Sequence, residues 1–89
     1  MKIKTGHKIR DIAGEKVIIL QGNYGADMTK LISLNSSAEW LFRELEGKEF
    51  EIDDVADLLV EYYDIDRDAA SRDAGLWADK LIEFGIIED

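Results

Sequence analysis

The sequence predicts an α+β domain of winged helix-turn-helix type, a three-stranded antiparallel sheet followed by three helices. Before residue 34 the apolar residues fall in short β-type runs, and after it they recur at helical spacing. The period changes within four residues inside "KLISLNSSAEWLF", residues 30–42. The strand-type runs are separated by Gly-containing turns, which makes them an antiparallel meander.

The first two strands are expected over residues 8–13 and 16–20, joined by Gly14-Glu15. A two-residue Gly-X loop suits a type II′ turn, because Gly tolerates positive φ at the first central position. "QGNYGAD", residues 21–27, carries two Gly with Asn and Asp and reads as a longer turn. The third strand is expected over residues 28–34, at an edge of the sheet.

Helix one begins with Asn35 as N-cap or with Ser36-Ser37-Ala38-Glu39 as a capping box; both fit. Trp40, Leu41 and Leu45 mark its apolar face, and Gly47 stops it as a C′ residue. A second helix runs from Ile52 or Asp53 to Tyr63. Val55, Leu58, Leu59 and Tyr62 line its inner face, while Asp53, Asp54 and Asp57 favour the positive end of its dipole. Asp66 can cap a third helix reaching Phe84, with Ala70, Ala74, Trp77, Ala78, Leu81 and Phe84 on one side. Gly85 ends it, and Ile86-Ile87 folds back onto the core.

Eighty-nine residues make one domain with one core. The absence of Cys removes disulfides and thiolate zinc sites together. The opening "MKIKTGHK" has no apolar signal region, and no apolar run reaches membrane-spanning length, so a soluble cytoplasmic protein is expected. The net charge of −9 is unevenly spread. Residues 1–32 hold six basic groups against three acids, whereas residues 33–89 hold five against 17. An acidic helical half repels the phosphate backbone that every nucleic-acid binder must neutralise.

Catalytic groups are scarce. One His, no Cys and no Gly-x-Ser-x-Gly leave nucleophilic catalysis unsupported, and His7 sits in a polar segment as a solvated side chain. Asp64-x-Asp66-x-Asp68 imitates the start of a calcium loop, but Ala69 stands where the sharp turn needs Gly and Gly75 where a bidentate Glu is needed. These acids read as helix caps. No enzyme activity, cofactor or metal is expected. The last two helices resemble a helix-turn-helix, which opens a DNA-binding, transcription-associated alternative. The third helix, however, carries Asp68, Asp73, Asp79 and Glu83 against Arg67, Arg72 and Lys80. A structural oligomerisation domain is the third alternative.

The motifs "HKIRDIAGEKVIIL" (7–20), "LISLNSSA" (31–38) and "ELEGK" (44–48) continue with "VADLLVEYYDI" (55–65) and "RDAGLWADKLIEFGII" (72–87). In this order and spacing the chain resembles the PqqD-like family of coenzyme pyrroloquinoline quinone (PQQ) synthesis, also called RiPP recognition elements. RiPPs are ribosomally made, post-translationally modified peptides. The resemblance implies a peptide chaperone without catalysis. It would bind the leader segment of a precursor peptide and present it to a modifying enzyme, often a radical S-adenosylmethionine (radical SAM) enzyme. The chain departs from the usual pattern in a longer connection between Gly47 and Ile52, in Glu51 where a capping Thr is common, in Ala78 for a larger aliphatic residue, and in Gly75 within a helix.

An edge strand beside a groove is a template on which an extended peptide adds its own backbone hydrogen bonds. Four or five such bonds supply roughly 2–7 kcal/mol net, against about 2–5 kcal/mol for ordering the peptide. Micromolar affinity needs about −8 kcal/mol, so apolar anchors must add to the ladder. The expected peptide-binding residues are Met28, Thr29, Lys30, Leu31, Ile32 and Ser33 on the strand, and Arg72, Ala74, Gly75, Leu76 and Lys80 on the third helix. Ala70, Ala74 and Gly75 would leave room for an anchor, while Lys30, Arg72 and Lys80 would pair with an acidic leader. Leu31 lies on the opposite strand face from Ile32 and Leu34. It is therefore the strand's candidate for an exposed contact, whereas Ile32 and Trp77 read first as core. The partners expected are the leader peptide and its modifying enzyme, with no nucleic acid and no membrane, for a monomer or homodimer.

Overall fold

A computed structural model describes residues 1–20 and 30–88. Its elements are β1 (Lys2–Ile3), β2 (Ile9–Ile12), β3 (Glu15–Leu20), β4 (Lys30–Leu34), α1 (Ser36–Leu45), α2 (Ile52–Tyr63), α3 (Arg67–Glu83) and β5 (Ile87–Glu88). β2, β3 and β4 form an antiparallel sheet in that order, with β4 at an edge. This is the expected meander followed by three helices. The turn expected over residues 21–27, together with Met28, Thr29 and the Lys30 side chain, lies outside the described residues.

Side chains alternate across each strand, so one register sets both faces of the sheet. Ile9, Ile18 and Ile32 stand opposite one another, and Ile18 and Ile32 are buried against the helices with Leu34. The hairpin turn differs from the type II′ loop expected at Gly14-Glu15. Ile12 pairs with Glu15, leaving Ala13 and Gly14 as the loop, with φ of 53° and 87°. Positive φ at both central residues is the condition of a type I′ turn. Asp11 is the physical reason for the change. One of its carboxylate oxygens accepts the Gly14 N–H at 3.0 Å and the other accepts Lys16 Nζ at 2.7 Å. Moving the loop back one residue also slides the register, so that Ile9 meets Ile18 rather than Leu20.

Asn35, of the two candidates, is the N-cap of α1. Its Oδ1 accepts the Ala38 N–H at 2.8 Å, and the Ser37 hydroxyl donates to the same oxygen at 3.0 Å. At α2 the absent Thr is compensated from within the helix, because Asp54 Oδ2 accepts the Glu51 N–H at 2.8 Å. Asp66 caps α3 by accepting the Ala69 N–H at 2.9 Å. Asp64 is the left-handed C-cap of α2 and Asp68 lies in the first turn of α3. The Asp64, Asp66 and Asp68 triplet therefore ends one helix and begins the next. Arg67 pairs with Asp57 and lies 3.7 Å from Asp53, tying the start of α3 to α2.

The core joins the inner sheet face to all three helices, through Leu41, Phe42, Leu45, Val55, Leu59, Ala70, Ala74, Trp77, Ala78 and Leu81. Phe42 and Phe50 belong to it although periodicity did not single them out. Tyr62, expected inside, is 62% exposed. Its ring packs instead on Trp40 at 4.8 Å between centroids, with Tyr63 on the same indole at 5.5 Å. The end of α2 is thus held to α1 by a partly solvated aromatic cluster.

The two ends of the chain add a second, two-stranded sheet that the sequence pattern did not announce. β1 pairs antiparallel with β5, Ile3 opposite Ile87, and Lys4 N–H donates to the Ile86 carbonyl at 2.8 Å. Met1 and Phe50 exchange hydrogen bonds, its ammonium to the Phe50 carbonyl at 2.8 Å and the Phe50 N–H to the Met1 carbonyl at 2.9 Å. Ile86 and Ile87 are buried, as expected of a tail folded back on the core.

Candidate functional site

The free edge of β4 faces α3. Within a strand the N–H and C=O of one residue point to the same side, and successive residues alternate. Lys80 Nζ donates to the Ser33 carbonyl at 3.5 Å, so Ser33 turns its backbone groups away from β3 and toward α3. Leu31, two residues earlier, turns the same way, while Ile32 and Leu34 turn toward β3. The described edge therefore offers two N–H and two C=O groups, and Lys80 reaches the last of them.

At the end of this edge, between the start of α1 and α3, lies a cavity of about 350 Å³, walled by Leu34, Ala38, Leu41, Leu76, Trp77 and Lys80 among others. Trp77 forms its base. The Trp77 indole N–H donates to the Ala38 carbonyl at 3.3 Å, and its ring lies 6.0 Å from that of Phe50. Trp77 thereby fixes the distance between α3 and the start of α1. Leu76 projects beside it and is 63% exposed.

The residues expected to bind separate into groups. Leu31, 58% exposed, lies on the outer sheet face, and Ser33 lies on the same face with its backbone at the open edge. Leu76 and Lys80 wall the groove. Ile32 and Ala74 are core residues, Ala74 fully buried, and neither reaches the groove. Arg72 is exposed on α3 but lines none of the cavity. Gly75 is also off its wall, and a Cβ there would meet nothing within 4 Å. The groove's room therefore comes from the gap between β4, α1 and α3, and not from Ala74 and Gly75. Asn35, Ser37 and Asp73 line the groove and were not anticipated. Helical spacing could have found Asp73, which is three and four residues before Leu76 and Trp77 and seven before Lys80.

Comparison with known proteins bears on what this geometry is for. The family model described as "Coenzyme PQQ synthesis protein D (PqqD)" matches residues 16–87. The chain belongs to the PqqD family. Its match begins at the second strand of the hairpin and runs to β5, so it contains both walls of the groove. No curated relative and no solved structure matches the chain. Membership in the PqqD family carries a general role in peptide recognition without catalysis. Among the described residues, no group of three or more His, Asp or Glu is placed to hold a metal ion. No described helix is long and apolar enough to cross a membrane.

Proposed function

We propose that the β4 edge and the groove beside it bind the leader segment of a ribosomally made precursor peptide. The protein then holds that peptide for a modifying enzyme of the radical SAM type, as in PQQ synthesis. One observation supports this reading above the others: Lys80 reaches the outward Ser33 carbonyl on the β4 edge and also walls the apolar cavity that this edge meets at Leu34. An added strand places alternate side chains on its two faces. One set enters the groove at Leu76 and Trp77, and the other lies beside Leu31 and Ser33, where cross-strand pairs form.

The magnitudes agree with a leader that needs both ladder and anchors. Four backbone hydrogen bonds supply about 2–6 kcal/mol net, which the cost of ordering the peptide, about 2–5 kcal/mol, largely offsets. Each apolar side chain buried in the groove adds about 1.5–3 kcal/mol. Affinity and selectivity are thus carried by the anchors, while the ladder sets the path of the chain. The acidic balance of α3 weighs against duplex DNA as the occupant of the same face.

Titration of the isotope-labelled protein with a precursor leader should move the amide signals of β4 and α3. Shifts confined to α2 would overturn the assignment.

A further inference from the structure

The groove is electrically polar along its length. Lys80 stands where it meets Ser33. Asp73 lines both this cavity and a second one of about 400 Å³ bounded by Leu59, Tyr63 and Ile65, so it stands at the junction of the two. Seven residues are close to two helical turns, which sets both side chains on one face of α3 about 10 Å apart along its axis. Side chains on one face of an extended chain recur every second residue, so two same-face side chains four residues apart, about 13 Å, span that distance, and flexible Glu and Lys side chains take up the difference. Among the described residues neither Asp73 nor Lys80 has an ion-pair partner. Leu76 and Trp77 lie between them.

We infer that the groove selects a peptide bearing an acidic and a basic side chain four residues apart, on one face of the extended chain. An apolar residue between them rests on Leu76 and Trp77. A further apolar residue beyond the basic one enters the cavity of Leu59, Tyr63 and Ile65. This rests on the reading that an extended peptide occupies the groove, and adds to it the charge order that the peptide must carry. A uniformly acidic segment gains at Lys80 and is repelled at Asp73, and a uniformly basic one meets the reverse. Opposite charges at fixed separation satisfy both, and like-charge contacts are what excludes the wrong sequences.

The probes are four short synthetic peptides of Thr and Val around a central Leu, carrying Glu then Lys, Lys then Glu, Glu/Glu or Lys/Lys at the two charged positions. The two mixed orders cover a strand added parallel or antiparallel, since each direction lets only one of them set Glu at Lys80 and Lys at Asp73. Asp73 and Lys80 are exposed helix positions, so Asp73→Lys and Lys80→Glu keep the fold, which circular dichroism checks. Wild-type protein should prefer one of the two mixed peptides over the other three by about fivefold at low salt, a preference that fades as salt rises. Asp73→Lys should move the preference to Glu/Glu, and Lys80→Glu should move it to Lys/Lys. If all four peptides shift the Leu31 and Ser33 amides while their ranking ignores both substitutions, the charge order is wrong and the groove reading stands. If no peptide shifts those amides in any variant, the groove reading fails and the charge order with it. Self-association that changes with either substitution, in place of peptide binding, would make a second copy the occupant and overturn the inference.

Discussion

Gly75 is where the needs of the helix and of the groove separate. It lies inside α3 without positive φ, and a Cβ would find open space. Gly in a helix interior costs about 1 kcal/mol relative to Ala. Gly75→Ala should therefore raise the midpoint of thermal unfolding by about 4–8 °C, the shift that 1 kcal/mol produces in a domain of this size. Calorimetry measures this, and a leader titration on the same variant should be unchanged, because Gly75 lines none of the cavity. The sequence placed the anchor site at Ala74 and Gly75 because small residues mark room. Periodicity identifies the buried stripe of a helix, here Ala70, Ala74, Trp77, Ala78 and Leu81. It is silent on which flank of that stripe meets the sheet edge. The flank carrying Asp73, Leu76 and Lys80 meets the end of β4 at Leu34 and the start of α1, a fact of tertiary placement that no local pattern encodes.

At the scale of elements, the caps tie local stability to the site unequally. Asn35 and Asp66 each accept a helix-initiating N–H, and replacing such a cap by Ala costs about 1 kcal/mol. Asp66→Ala and Asn35→Ala should thus lower stability about equally in urea denaturation. Only Asn35→Ala should also alter peptide affinity, since Asn35 lines both cavities of the groove. The β2–β3 hairpin carries a pH dependence of its own. The Lys16 hydrogen bond, and after it the Gly14 N–H, hold the Asp11 carboxyl below its ordinary range. The same bond raises Lys16. A depressed carboxyl stabilises fully above its ordinary range, and its contribution is lost as pH falls through the lowered value. A raised Lys contributes below its ordinary range and loses its share as pH climbs through the raised value. The Gly14 amide shift, followed by NMR, should therefore step on the acid side of the ordinary Asp range, and Asp11→Asn should abolish the step. Both groups are exposed, so global unfolding should hardly register it. Helices were legible because caps and a 3.6-residue period agree along each of them. The hairpin was misplaced by one residue because the choice between Ala13-Gly14 and Gly14-Glu15 depends on a side chain, Asp11, and on the facing Ile18.

The whole molecule is closed by the pairing of its ends, the part of the fold that was not legible. Two-residue strands such as β1 and β5 show neither alternation nor a turn, and their partners lie more than 80 residues apart in the chain. Once formed, the pairing buries Ile3 at 3% exposure against a core that includes Ile86 and Ile87. The same N-terminal segment satisfies the Phe50 backbone through Met1, and Phe50 packs on Trp77 at the base of the groove. Truncating a buried Ile to Ala costs about 2–5 kcal/mol, a large share of the 5–15 kcal/mol or so that holds a typical domain folded. Ile3→Ala should therefore shift the denaturation midpoint strongly toward lower urea while leaving the slope, which tracks the surface exposed on unfolding, unchanged. Ile3 lines no part of the groove. Energetic effects at sites without shared partners are close to additive, so leader affinity per folded molecule should change by less than about twofold. Titration under conditions where wild type and variant are both folded checks this. Affinity falling together with stability would mean that the terminal clamp sets the position of Trp77 through Phe50, and that the small sheet is part of the recognition machinery as well as of the fold.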